Sequence, residues 1–315
     1  MRDAAQPKSA YGAAVAPRSK ILVAGATGYV GGRLVTRLLD AGHEVRVIAR
    51  SPARARRYDW SDDVELIEAD VLDPVTLVPA MAGCDVAYYL VHSMGTTGDF
   101  AETDERAAGN FRDAADAAGV NRIVYLGGMG SGAALSEHLT SRQRVGEVLA
   151  SGRTPTTELR AAVIIGSGSL SFEMLRYLTE VLPAMVTPSW VRTRCQPIAI
   201  RDVLHYLVGV IDDPEPVDRV FDIGGPDIVT YEEMMQTFAR EAGLPRRLIV
   251  PVPVLSPTLS SRWVGLVTPL PSKIARPLID SLRHEVVMTD HAIDRLVPHQ
   301  TIDLRTAIEL ALRRT

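Results

Sequence analysis

Residues 21–32 read Ile21-Leu22-Val23-Ala24-Gly25-Ala26-Thr27-Gly28-Tyr29-Val30-Gly31-Gly32, four apolar residues running into a G-x-x-G-x-x-G spacing. A short apolar run of this kind is a buried strand, and the segment from Tyr29 has helical spacing, so the glycines occupy a strand-to-helix turn. Gly25 permits the tight turn, Gly28 lets backbone come close to a diphosphate, and Gly31 lets the helix pack on the strand, while the helix N-terminus faces the negative charge. A structural glycine-rich turn is the alternative, and the strand before and helix after weigh against it. The turn from Gly25 through Thr27, Gly28, Tyr29 and Val30 to Gly31 is therefore expected to bind a dinucleotide.

Outward from this turn the same rhythm repeats. Ile21–Ala24, Glu44–Ala49, Val64–Ala69, Asp85–Val91, Arg122–Leu126 and Thr157–Ile164 read as strands. Tyr29–Ala41, Pro52–Tyr58, Pro74–Met81, Ala101–Ala118 and Ser136–Ser151 read as the helices between them. Such alternation demands a parallel sheet covered on both faces, so the fold class is α/β, with a Rossmann-type doubly wound sheet over residues 20–166. After Gly166, prolines at 183, 188, 197, 214, 216 and 226 break the rhythm. Residues 167–315 read as a smaller C-terminal α/β substrate lobe, interleaved with the sheet domain or separate from it. A strand at Val220–Ile223 and a helix from Thr230 to Ala242 belong to this half, and Thr230 with Glu233 forms a capping box. The apolar, Pro-rich stretch 245–277 reads as packing against the lobe, with a lid, a homo-oligomer face or a membrane-adjacent surface as alternatives.

The second strand ends Val47-Ile48-Ala49-Arg50-Ser51-Pro52. An enzyme that uses NAD carries a carboxylate at this position to bind the ribose hydroxyls; here a guanidinium and a hydroxyl stand instead. Arg50 and Ser51, with Arg54 one helical turn on, suit a 2'-phosphate, which favours NADP(H) over NAD(H). The other reading of Arg54, Arg56 and Arg57 is a solvated basic face, and the whole basic run from Arg46 to Arg57 is explained by one cofactor phosphate. Asp70-Val71 closes the third strand, where the carboxylate contacts adenine or caps the following turn. Leu90, Val91, His92 and Ser93 leave the fourth strand at the crevice where open α/β sheets bind ligands. Tyr88 and Tyr89 fall on opposite faces of that strand and read as buried aromatics.

The chain has 315 residues, 46% hydrophobic and 23% charged, with a net charge of −4. This is an ordinary folded composition without the basic stripe of a nucleic-acid binder. Cys84 and Cys195 form no C-x-x-C pair, so neither a disulfide framework nor a metal site is expected, and a reducing cytoplasm fits best. No stretch is apolar for long enough to span a membrane. Residues 1–19 read as a disordered tail. The expected partner is a small-molecule substrate or effector, not nucleic acid.

Gly25–Gly32, Asp70-Val71, the segment Pro197-Ile198-Ala199-Ile200-Arg201-Asp202-Val203 and the stretch Phe221–Glu233 together resemble the short-chain dehydrogenase/reductase superfamily, in its atypical NmrA-like and NDUFA9-like branch of NAD(P)H-binding proteins. The resemblance covers nearly the whole length. Active members of that superfamily carry Tyr-x-x-x-Lys on the helix after the fifth strand, the Tyr as proton donor and the Lys lowering its pKa. Here that helix reads His138-Leu139-Thr140-Ser141-Arg142-Gln143-Arg144-Val145-Gly146-Glu147. Leu139 and Gln143 take the Tyr and Lys positions, and neither can do that chemistry. Shifted by one residue, His138 and Arg142 share a helix face at i and i+4, either a proton donor beside a cation or a helix-start residue beside a solvated one. His92 is a further candidate acid, with backbone or cofactor packing as its other role, and Ser131 stands near the superfamily's serine. Two functions follow: an NADPH-dependent oxidoreductase acting on a small carbonyl, enone or quinone-like substrate, or an NADP(H)-occupied redox sensor, regulator or assembly factor without turnover.

Overall fold

In a computed structural model, residues 18–92, 100–130, 135–213, 218–252 and 279–313 are described. The alternation read from the sequence becomes β1 (Lys20–Ala24), α1 (Tyr29–Asp40), β2 (Glu44–Ala49), α2 (Pro52–Ala55), β3 (Glu65–Glu68), α3 (Pro74–Met81), β4 (Val86–Tyr89), α4 (Phe100–Ala118), β5 (Arg122–Gly128), α5 (Glu137–Ala150) and β6 (Thr156–Ala161). The second half supplies β7 (Ile164–Ile165), α6 (Leu170–Val181), β8 (Ala184–Pro188), β9 (Arg194–Cys195), β10 (Ile198–Ala199), α7 (Ile200–Gly209), β11 (Arg219–Ile223), β12 (Val229–Thr230), α8 (Tyr231–Glu241), β13 (Leu248–Val252), α9 (Ile293–Leu296) and α10 (Leu304–Leu312).

The main sheet has seven strands in the order β3-β2-β1-β4-β5-β6-β11, every neighbouring pair parallel. Strand order reverses between β1 and β4, and at such a switch point the connections leave in opposite directions and open a crevice at the carboxyl ends. Side-chain alternation divides the core in two. Ile21, Val23 and Tyr88 join Leu34, Val35 and Leu38 of α1 and Val203 and Leu207 of α7 on one face. Leu22, Ala24 and Tyr89 join Leu77, Met81, Phe111, Tyr125 and Leu149 on the other. Tyr88 and Tyr89 thus take the opposite faces expected of neighbours on a strand. The Tyr88 hydroxyl donates to the Leu207 carbonyl at 2.6 Å, while the Tyr89 ring stands edge-on to Phe111 at 4.9 Å.

Three expectations are corrected. The sixth strand stops at Ala161, and Ile164–Ile165 instead pairs with Ile198–Ala199 in a separate two-stranded ladder. The helix expected over 52–58 ends at Ala55, because Tyr58 turns back to donate its hydroxyl to the Thr27 carbonyl at 2.7 Å and stacks on Trp60. Arg46, read as part of a phosphate-facing basic run, is buried. Its guanidinium donates to the Ala80 and Ala82 carbonyls at 2.6 and 2.9 Å and pairs with Glu65 at 2.8 Å, so it caps the C-terminal end of α3, where a cation is favoured.

β11 lies well past residue 166 yet completes the sheet beside β6. The lobe core gathers Phe172, Trp190, Tyr231, Met234, Phe238 and Ile308. The capping box at Thr230 and Glu233 is present in full. Gln196 and Asp222 hold the segment Glu285–Asp290: Gln196 accepts from the Met288 amide at 3.0 Å, and Asp222 accepts from the Thr289 amide and hydroxyl at 2.8 and 2.7 Å. The N-terminal tail lies outside the described residues apart from Arg18 and Ser19, and the stretch 245–277 is described only through Val252.

Asp202 of α7 is fully buried. It accepts from the Ile302 amide at 3.1 Å and meets His299 Nε2 at 2.9 Å, which pins the segment leading into α10. Asp202→Ala strands both partners, and a loss of about 1–3 kcal/mol of unfolding free energy is expected. Urea unfolding checks this, and an unchanged midpoint would show that the pair is not a tether.

Candidate functional site

The glycine turn is fixed by two close approaches. Gly25 has φ +89, and a Cβ there would lie 2.6 Å from the Leu90 carbonyl oxygen. At Gly31 a Cβ would lie 2.3 Å from the Gly25 oxygen, so α1 rests directly on the turn, as its spacing predicts. Gly28 is the N-cap of α1, and the first turn has neither a capping side chain nor an acidic residue. In contrast, α3, α5, α6, α8 and α10 are capped by the side chains of Asp73, Ser136, Ser169, Thr230 and Asp303. Helix amides left uncapped at a sheet's carboxyl edge fit the diphosphate of a dinucleotide.

Around the turn, Thr27 is held through its carbonyl by Tyr58, a residue that no motif marked. Tyr29 and Arg33 reach away toward the loop after β7. The Arg33 guanidinium lies 4.0 Å from the Tyr29 ring centroid and donates to the Ser167 carbonyl at 3.1 Å. Arg50 and Arg54 are exposed beside Ser51, the N-cap of α2. One oxygen of Asp70 accepts from the Leu72 amide at 3.0 Å, and the Asn110 amide donates to the Val71 carbonyl at 3.0 Å. Leu90, Val91 and His92 follow β4 at the carboxyl edge, with the Leu90 amide bonded to Ala24 at 2.9 Å. Ser93 and Ser131 lie outside the described residues.

Two of the three candidate catalytic residues, His92 and His138, come together. The rings of His92 and His138 have centroids 5.0 Å apart, and His92 Nδ1 meets Asp104 Oδ2 at 3.0 Å. Asp104 sits on α4 and is almost wholly buried. Its position is set by a helical stripe in which Asp104, Ala107, Ala108 and Phe111 all face inward. A carboxylate on an otherwise apolar stripe was the signal that could have found it. Arg142 is turned away: its guanidinium donates to the Leu126 carbonyl and lies 4.9 Å from the Tyr125 ring centroid, while Tyr125 returns a hydroxyl bond to the Arg142 carbonyl at 2.9 Å. Burial, with His92 and Arg142 nearby, pushes the His138 pKa down to about 3. His92 is lowered too, by burial first, with the Asp104 bond opposing it. Both imidazoles are therefore neutral at pH 7. Leu139 is buried, and Gln143 donates to the Gly130 carbonyl at 2.8 Å, so the helix offers no phenol and amine at those positions.

His138 also lines a cavity of about 140 Å³ between the ends of β5 and β6 and the lobe. Met129, Leu139, Met174, Trp190 and Met235 supply much of its wall. Met174, Met235 and Trp190 carried no motif; only the packing of α6 and α8 with the 3-10 turn at Ser189–Arg192 brings them to the sheet edge. Among the described residues no group of His, Cys, Asp and Glu could hold a metal ion, and no helix is long and apolar enough to cross a membrane.

Residues 25–176 match the NAD(P)H-binding domain family. The chain is similar to a (4-alkanoyl-5-oxo-2,5-dihydrofuran-3-yl)methyl phosphate reductase of Streptomyces griseus, 32% identical over 236 residues, which cover 72% of this chain and 75% of that protein. It is also similar to the divinyl chlorophyllide a 8-vinyl-reductase of Zea mays, 26% identical over 279 residues, 83% of this chain and 68% of that one. Of an uncharacterised Mycobacterium tuberculosis relative, 28% identical over 240 residues, the match spans only 24% of the length. The Citrobacter sp. triphenylmethane reductase shares the fold, with a TM-score of 0.74 at 21% identity over 93% of this chain and 99% of that one. The chain belongs to the NAD(P)H-binding family.

Proposed function

We propose that the chain is an NADPH-dependent oxidoreductase that reduces a small carbonyl, enone or quinone-like molecule in the cytoplasm. One observation carries this reading: an uncapped, glycine-lined helix start and a mostly apolar cavity lie at the same carboxyl edge of the sheet. A binding module needs only the first; a pocket with apolar walls and a few polar groups is what a second reactant needs. Bound there, the nicotinamide supplies the reducing equivalents. Gly25, Gly28 and Gly31 give backbone room for the diphosphate, and the Leu90–His92 edge flanks the ribose. The protein's contribution is chiefly to orient two reactants.

For the cofactor choice, Arg50 is exposed at the end of β2, with no carboxylate beside it in the Ala49-Arg50-Ser51 sequence. A guanidinium binds a phosphate in a fork geometry that an ammonium or hydroxyl cannot reproduce. His138, neutral at pH 7, acts there as a hydrogen-bond donor and not as a stored proton, which leaves solvent as the proton source. The sensor or regulator reading is favoured by Leu139 and Gln143 in place of the superfamily's Tyr and Lys. Turnover of NADPH with any acceptor separates the two readings.

NADPH is expected to bind at least about tenfold more tightly than NADH, and Arg50→Ala to remove most of that difference. Calorimetric titration of both nucleotides into both proteins checks it, and equal wild-type affinities would sink the assignment. His138 also gives a pH signature. Its pKa is about 6.5 when unfolded and about 3 when folded, so below pH 6.5 the unfolded chain takes up a proton that the folded one refuses. Its contribution to stability is full above that pH and is lost as pH falls toward 3. Urea unfolding at about pH 7.5 and 4.5 should show a smaller acid loss in His138→Phe than in wild type; equal losses would mean that His138 titrates normally.

A further inference from the structure

Two residues that line the cavity against His138 carry nitrogens that the protein itself does not use. His138 Nδ1 and Trp190 Nε1 are both buried, and neither has a hydrogen-bond partner among the described residues. Both residues line the same cavity. An indole N–H can only donate, and a neutral imidazole has one N–H to give. The Trp190 ring is held edge-on to Tyr231, at 86° and 5.9 Å, so its direction is not free to adjust. Buried donors without acceptors are uncommon in folded proteins and call for an explanation.

The rest of the wall limits what the acceptor can be. No Lys, Arg, Asp or Glu lines the cavity among the described residues. Arg142, the cation that acts on His138, is committed to the Leu126 carbonyl. Tyr231, the other titratable lining residue, is held protonated by burial. A phosphate or carboxylate placed here would be desolvated without a counter-charge, which is strongly unfavourable. About 140 Å³ is the scale at which an apolar cavity takes up one six-membered ring.

We propose that this cavity binds an uncharged single-ring molecule carrying carbonyl oxygens, a benzoquinone or cyclic enone, with His138 and Trp190 as its two hydrogen-bond donors, and that it rejects anionic analogues. The His92–Asp104 pair packs beside the His138 ring as a positioning element. This deepens the oxidoreductase reading and rests on it only for the use to which the cavity is put.

The test needs no cofactor. Tetramethyl-1,4-benzoquinone, which has no free ring position for thiols to add to, is titrated calorimetrically into the full chain. Its hydrocarbon counterpart 1,2,4,5-tetramethylbenzene and a trimethylbenzoquinone bearing a propanoate arm are titrated alongside. The quinone should bind at least about tenfold more tightly than either. His138→Phe and Trp190→Phe, which keep an aromatic ring and remove the N–H, should each weaken the quinone about three- to tenfold and leave the hydrocarbon unchanged. Quinone affinity should stay level from about pH 7 to 8, where burial keeps His138 and His92 neutral and Tyr231 protonated; Asp104 and Arg142 are the other charged neighbours. Equal binding of quinone and hydrocarbon, tight binding of the propanoate, no quinone binding, or variants that weaken both neutral probes alike would each overturn the proposal. NADPH affinity measured on the same samples is a separate readout: its absence would overturn the oxidoreductase reading and leave the cavity's selectivity standing.

Discussion

The approach of α1 to the β1 turn is the constraint on which the rest depends. A methyl at Gly25 would collide with the Leu90 carbonyl and a methyl at Gly31 with Gly25 itself, so the helix start, the first strand and the end of β4 occupy one small volume. That packing has two consequences. It brings the uncapped amides of α1 to the crevice between β1 and β4, and it fixes where the chain emerges from β4, which sets Leu90, Val91 and His92 at the rim. A side chain at either glycine would push the helix off the sheet, and the uncapped helix start and the rim would separate together.

From that rim the second half of the chain is tied down by polar contacts as much as by apolar ones. Asp202, Gln196 and Asp222 each accept backbone amides from segments far away in sequence, and β11 adds a strand to the sheet. These bonds are short-range and directional, so they fix orientation where apolar packing alone would leave latitude. The lobe is consequently joined to the sheet domain along its edge, and the cavity between them is shaped by both.

The histidine pair is neutral for the same reason that the cavity is apolar. Burial removes the water that would stabilise an imidazolium, and the one carboxylate nearby, Asp104, is spent on orienting His92. On the neighbouring helix the isobutyl group of Leu139 is buried and the amide of Gln143 donates to the Gly130 carbonyl. A site of this kind binds through shape and hydrogen-bond donation, with little capacity to hold charge.

The glycine spacing, the strand-helix alternation and the opposite facing of Tyr88 and Tyr89 were legible because each is a local consequence of backbone period or of Cβ sterics. The Thr230–Glu233 cap was legible for the same reason: both partners lie within one turn. His138, Arg142 and His92 could be named as candidates, but the meeting of the two histidines could not, since that contact joins the end of β4 to a helix more than forty residues later. Asp104, Tyr58 and Trp190 went unmarked because their roles arise only when distant elements close on them. Arg46 shows the reverse case, a basic residue that seemed to belong to a surface run and instead caps α3 across the sheet. The parallel sheet and the glycine turn follow from the sequence alone, because periodicity and glycine sterics act over a few residues. Tertiary structure alone decided the cavity, its unused donors and the charge state of its histidines, because those depend on which surfaces exclude water from one another.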